Sequence, residues 1–207
     1  MQIEIWSDVI CPWCYIGKRR FEQALAQCGQ RKDIDIIWRS FELDPNAPQQ
    51  HPGTLNELLA RKYGVSAQQA AEMNARVSGV AQQVGLEYRL ANARPGNTLA
   101  AHRVLHFAAA RQQGELALER IMHAYFCESL PVGDHPALAQ LAPQFGIAEN
   151  EVLTMLASDD YLSEVRADES RAAELGITGV PFFLFDGKTG ISGAQPVEAF
   201  TEILKQS

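Results

Sequence analysis

The chain opens on alternating apolar and polar side chains. Ile3, Ile5 and Trp6 predict a short strand over residues 2–6. The period then changes. Phe21, Ala24, Leu25 and Cys28 recur at i, i+3, i+4 and i+7, which predicts a helix over residues 12–27 with Gly29 as its stop signal. The β-rich run Ile34-Asp35-Ile36-Ile37-Trp38 predicts a second strand, continuing toward Phe41. Strand, helix and strand in close succession predict a βαβ unit. Asp44-Pro45 and His51-Pro52-Gly53 then mark residues 44–53 as a loop.

From about residue 54 to about residue 175 the periodicity is helical throughout. Helices are predicted near 54–63, 66–84, 98–113, 115–129, 134–142, 148–157 and 159–175, separated by Gly, Pro or Asn. Ala101, Val104, Leu105 and Ala108 form one apolar stripe, and Leu118, Ile121, Met122 and Tyr125 another. Strand signals return at the end. Phe182-Phe183-Leu184-Phe185 reads as a strand, Asp186-Gly187-Lys188-Thr189-Gly190 as a turn, and Ile191-Ser192-Gly193 as the start of a return strand. Residues 195–205 predict a closing helix with Pro196 near its start. The economical architecture is one α/β domain, built from residues 1–50 and 176–207, that carries an all-helical insertion over residues 51–175.

Bulk properties narrow the function classes. A chain of 207 residues buries a substantial core without staples, and 46% hydrophobic with 21% charged residues describes an ordinary soluble globular protein. A net charge of −7 without a Lys/Arg stripe argues against nucleic acid, and Lys18-Arg19-Arg20 reads as a solvated helix face. No apolar run approaches the roughly 20 residues of a membrane span, so no membrane partner is expected. If Met1 is the natural start, the missing basic segment, apolar core and cleavage site predict a cytoplasmic protein.

Against this background Cys11-Pro12-Trp13-Cys14 carries the chemistry. It follows the first strand and opens the first helix. A helix N-terminus presents unpaired N–H groups and partial positive charge, which favour a thiolate, the nucleophilic form of cysteine. Pro12 suits the first helical turn, where its missing N–H costs nothing. The two-residue spacer lets the second sulfur close onto the first. Four cysteines are too few for a disulfide scaffold, and no second close pair exists to complete a zinc site. In a reducing compartment such a pair is catalytic rather than structural. Cys28 lies on the apolar face of its helix and reads as core. Cys127 lies opposite its helix's apolar stripe, either exposed or packed between insertion helices. His102 and His106 have an i, i+4 spacing, but no third ligand is placed to complete a metal site. Asn97 or Thr98 is the natural N-cap of its helix. Trp6, Trp38 and Phe41 read as core.

The dithiol and the distant Gly179-Val180-Pro181 together resemble the thioredoxin fold, and the helical insertion narrows the resemblance to its DsbA-like branch. Ser7-Asp8-Val9-Ile10-Cys11-Pro12-Trp13-Cys14-Tyr15-Ile16-Gly17, Phe41-Glu42-Leu43, Gly179-Val180-Pro181-Phe182-Phe183 and Ser192-Gly193-Ala194-Gln195-Pro196 are similar to the FrnE-like subfamily. The resemblance implies a thiol–disulfide oxidoreductase with Cys11 and Cys14 as its catalytic pair. It implies that Pro181 is a cis-proline facing the cysteines, and that the Val180 backbone aligns an extended substrate. Pro12 and Trp13 are then substrate contacts, as are Asn97 and His102 on a helix that relatives pack over the site. The implied partners are protein or small-molecule thiols and disulfides. No metal and no bound cofactor are implied, and glutathione is a candidate redox co-substrate. Two departures stand out. Trp13 occupies the place of the thiolate-stabilising histidine of DsbA, which predicts a weaker oxidant, a reductase or an isomerase. Ile5 occupies the place of the buried acid many relatives use, with Asp8 the nearest acid.

Two rival functions remain on sequence grounds. Kappa-class glutathione transferases and 2-hydroxychromene-2-carboxylate isomerases resemble this architecture, but use a serine where Cys11 stands. A broad helical insertion also suits a holdase that shields unfolded clients.

Overall fold

The computed structural model describes residues 1–29 and 34–206. In chain order the strands are β1 (Gln2–Ser7), β2 (Asp35–Ser40), β3 (Phe182–Phe185) and β4 (Thr189–Ser192). The helices are α1 (Pro12–Gln27), α2 (Leu55–Tyr63), α3 (Ala67–Gln82), α4 (Leu99–Ala109), α5 (Gly114–Glu128), α6 (His135–Leu141), α7 (Glu149–Leu156), α8 (Leu162–Glu174) and α9 (Val197–Gln206). The chain divides into two compact units, Met1–Leu43 with Arg166–Ser207, and Asp44–Val165.

The first unit holds a mixed sheet of order β2-β1-β3-β4. β1 and β2 run parallel with α1 as their crossover, and β1, β3 and β4 pair antiparallel. Side chains alternate across a strand, and that alternation sorts the core. Ile3 and Ile5 share one face with Phe183 and Phe185, and are covered by Phe21 and Ala24 of α1 and Phe200 and Leu204 of α9. The rings of Phe21, Phe183 and Phe200 meet at centroid separations of 5.5, 5.8 and 4.7 Å. Each buried Phe contributes roughly 1.5–3 kcal/mol from apolar area alone. Trp6 and Leu184 face the other way and pack with Ala172 and Ile177. Trp38 and Phe41 are partly buried at the margins of these two clusters.

The second face also carries charge. Glu4 accepts hydrogen bonds from Arg39 Nη2 at 2.8 Å and from Arg171 Nη2 at 2.6 Å. Asp168 Oδ1 accepts from Arg39, its Oδ2 from the Ser40 N–H, and its carbonyl from Trp6 Nε1. These bonds tie α8 to the sheet. They explain why the second division falls at residues 165/166 rather than near 175: most of α8 belongs with the strands it is bonded to, while the first falls at 43/44, just after the Leu43 N–H bonded to Asp8.

The second unit pairs α2 with α3, α4 with α5 and α6 with α7. Capping boxes at Thr54/Glu57 and Ser66/Gln69 start α2 and α3. Thr98 is the N-cap residue of α4 but makes no side-chain cap bond; Asn97, one residue earlier, accepts from the Leu99 N–H through Oδ1 at 2.9 Å. That helix ends at Ala109, short of the predicted residue 113, because Gln112 turns left-handed (φ 62°) before α5 begins. Cys127 is buried within the bundle, and burial pushes its thiol up from the ordinary range. Among the described residues no helix is long and apolar enough to cross a membrane.

The late hairpin is tighter than its sequence implies. Asp186 and Gly187 both take positive φ (48° and 67°), and the return strand starts at Thr189 rather than Ile191.

Candidate active site

β1 ends at Ser7, and Asp8 turns the chain into α1. The Cys11 N–H donates to the Asp8 carbonyl at 3.1 Å, and the Cys14 N–H to the Cys11 carbonyl at 3.0 Å. Cys11 is the N-cap residue of α1, with extended φ/ψ of −81° and 113°, and Pro12 follows in the first turn. An N-cap side chain ordinarily supplies the acceptor for orphaned first-turn N–H groups. Cys11 makes no side-chain cap bond, and its sulfur stands at the positive end of the helix dipole beside the first-turn N–H groups. Cys11 and Cys14 are both free thiols in this structure.

The second wall comes from far along the chain. Cys11 Sγ lies 3.6 Å from the Val180 carbonyl, 169 residues away. The Val180–Pro181 peptide bond is cis. The Pro181 carbonyl accepts from the Gly193 N–H at 2.8 Å, so the end of β4 holds this loop from behind. Gly17, one turn after Cys14, lets the loop come close. A Cβ on Gly17 would meet Pro181 Cγ at 3.0 Å, with Ala194 Cβ and the Phe183 ring each at 3.5 Å.

Both sulfurs are buried, Cys11 at 5% exposure and Cys14 more deeply. Cys14 is 1% exposed. Burial pushes its thiol well above the ordinary range, and the neighbouring Cys11 sulfur adds to that; the Asp8 backbone and the Ser7 hydroxyl act in the opposite direction. Asp8 is fully buried and braces the turn, its Oδ2 accepting from the Leu43 N–H at 2.8 Å and its Oδ1 from the Ile10 N–H at 3.5 Å. Trp13 is 40% exposed, a large apolar surface one residue before Cys14.

The first unit thus gathers Cys11, Pro12, Trp13, Cys14, Val180 and Pro181 at one end of the sheet. Asn97 and His102 belong to the second unit. There the Asn97 side chain accepts from the Leu99 N–H and donates to the Pro45 carbonyl at 3.2 Å, and His102 is buried in α4. Their assignment as substrate contacts rests on the resemblance alone. Ile5 packs in the apolar cluster under α1. The adjacent acid, Glu4, points to the opposite face and is held by Arg39 and Arg171. Ser7 and Gly17 lie inside the string that carries the resemblance, but spacing gives neither of them a role. Among the described residues no group of three or more His, Cys, Asp or Glu is placed to hold a metal ion.

A four-stranded mixed sheet, a helix opened by a Cys-x-x-Cys pair and a proline loop against the first sulfur define a thioredoxin-type protein. The family model for the DSBA-like thioredoxin domain matches residues 2–205, and the chain belongs to that family. A probable DsbA oxidoreductase from Streptomyces coelicolor is similar in sequence and structure, with 43% identity and a TM-score of 0.95 over 100% of this chain and 89% of that one. The uncharacterized protein YwbO of Bacillus subtilis (strain 168) is 29% identical over 99% of this chain and 96% of its own length. A 2-hydroxychromene-2-carboxylate isomerase shares the fold, with a TM-score of 0.74 at 13% identity, over 100% of this chain and 95% of that one.

Proposed function

We propose that this chain exchanges disulfides through Cys11 and Cys14, as a FrnE-like member of its family. The observation that carries the reading is the Cys11 sulfur at the N-cap of α1, 3.6 Å from the Val180 carbonyl, with Cys14 buried one turn on. Burial keeps Cys14 protonated at rest, so Cys11 attacks first. Its thiolate displaces one sulfur of a substrate disulfide and forms a mixed disulfide. Cys14 then loses its proton and attacks Cys11 Sγ. The Cys11–Cys14 bond forms, and the second substrate sulfur leaves as a thiol. The protein dithiol is oxidised by two electrons and the substrate disulfide is reduced; the reverse sequence oxidises a substrate dithiol. In this reading Pro12, Trp13, Val180 and Pro181 border the substrate, which is a protein or a small disulfide, glutathione disulfide included.

Insulin reduction tests the proposal. Cys11→Ala abolishes turnover, and Cys14→Ala accumulates a mixed disulfide that mass spectrometry detects. Turnover surviving Cys11→Ala sinks the reading. A glutathione-dependent isomerase is the second reading, favoured by the shared fold, and its signature is chromene turnover that persists in Cys14→Ser. Equilibration against glutathione buffers then sets the working direction on the scale from about −270 mV for thioredoxin to about −120 mV for DsbA.

A further inference from the structure

Ser7 is the last residue of β1, and strand parity decides where it points. It follows Ile3 and Ile5 at two-residue steps, on the face that α1 covers. Cys14 is carried by α1, in its first turn. Ser7 is 4% exposed, and its Oγ is fully buried. Among the described residues Oγ finds no hydrogen-bond partner of ordinary geometry. A buried hydroxyl left in that state is destabilising and calls for an explanation. Its influence falls on Cys14, together with that of the Asp8 backbone, and both favour the sulfur anion. Glu4, the acid of β1, is on the other face and engaged by two arginines.

We propose that Ser7 is a positioning residue for the resolving sulfur: its hydroxyl turns to donate to Cys14 Sγ when that sulfur gives up its proton to attack the mixed disulfide. The hydroxyl is a donor and not a base, so it takes no net proton. The proton lost at Cys14 is made good at the departing substrate sulfur, and the electron count of the exchange is unchanged. This assignment rests on the disulfide-exchange reading of Cys11 and Cys14.

Stopped-flow reaction of the reduced protein with glutathione disulfide separates the two steps. Mixed-disulfide formation reports Cys11, and its decay reports Cys14. Ser7→Val and Ser7→Thr are matched in size and differ by the hydroxyl. Ser7→Val is expected to leave the first step within about threefold of wild type and to slow the decay by about ten- to a hundredfold, the scale of a hydrogen bond to a charged group. Ser7→Thr is expected to retain the wild-type decay within about threefold. Equal slowing in Ser7→Val and Ser7→Thr, or a wild-type decay rate in Ser7→Val, overturns the role of Ser7. A wild-type protein that reduces neither glutathione disulfide nor insulin, with no mixed disulfide trapped in Cys14→Ala, overturns disulfide exchange itself, and the assignment with it. The two failures are therefore distinguishable.

Discussion

Adding one methyl group at Gly17 tests how closely α1 and the Pro181 loop must meet. The Ala Cβ would lie 3.0 Å from Pro181 Cγ. Carbon atoms pack best at about 3.5–4.0 Å, so something must give by roughly half an ångström. Neither side yields readily. The Pro181 carbonyl is held by the Gly193 N–H, and the new methyl already touches Ala194 and the Phe183 ring. Overpacking of this kind costs about 1–3 kcal/mol. Replacing a helix-interior glycine by alanine returns about 1 kcal/mol. The balance runs from near zero to about 2 kcal/mol of destabilisation, or up to about 8 °C in Tm for a chain of this size. The same displacement acts on the Cys11–Val180 contact, which at 3.6 Å has little slack. Reactivity therefore suffers more than stability. Gly79 of α3 is the control, because a Cβ there meets nothing within 4 Å. Gly79→Ala is expected to raise Tm and leave the reaction with glutathione disulfide unchanged, whereas Gly17→Ala lowers or holds Tm and slows that reaction at least severalfold. If Gly17→Ala stabilises as much as Gly79→Ala and reacts at the wild-type rate, the close approach is not what sets the site.

Two further predictions concern the scaffold. The Arg171 guanidinium, aided by Arg39, holds the Glu4 carboxyl below the usual carboxylate range despite its burial. A depressed folded pKa means that this stabilisation is complete above the unfolded value of about 4.3 and is lost as pH falls through the lower folded value. The arginine side chains are 28% and 42% exposed and so partly hydrated, which places Glu4→Gln below the usual cost of breaking a buried pair, at about 2–3 kcal/mol at pH 7. Urea melts should show that gap narrowing below about pH 4, and an equal gap at pH 3 and pH 7 rules the linkage out. In the second unit, a Cβ on Gly133 would fall 1.9 Å from the Gln49 carbonyl oxygen, and one on Gly96 would fall 2.1 Å from it. Gln49 is held in place by bonds from Asn97 N to Pro48 O and from His51 N to Pro95 O, both 2.9 Å. Gly133→Ala or Gly96→Ala should each cost about 3 kcal/mol, some 6–12 °C in Tm. Calorimetry showing either variant as stable as wild type removes the clamp.

Local rules were sufficient for most elements and for the dithiol. The helix from Pro12 to Gln27 follows from a period of apolar residues, a proline in its first turn and the glycine after its end. The strand at Phe182–Phe185 is legible from composition alone. These features depend on neighbours within a few residues, and the chain states them directly. The meeting of Cys11 with Val180 spans 169 residues and is set by which strands pair, so spacing has no access to it. The same holds for the two sides of β1. Sequence shows Glu4 and Ile5 as adjacent positions, and only the packing of α1 on one face and α8 on the other decides that the acid meets Arg39 and Arg171 while Ser7 is buried on the face that α1 covers. The later unit boundary follows the bonds of α8 to the sheet rather than the change from strand to helix. Backbone preference is a property of short segments; facing, burial and approach are properties of the whole packed chain.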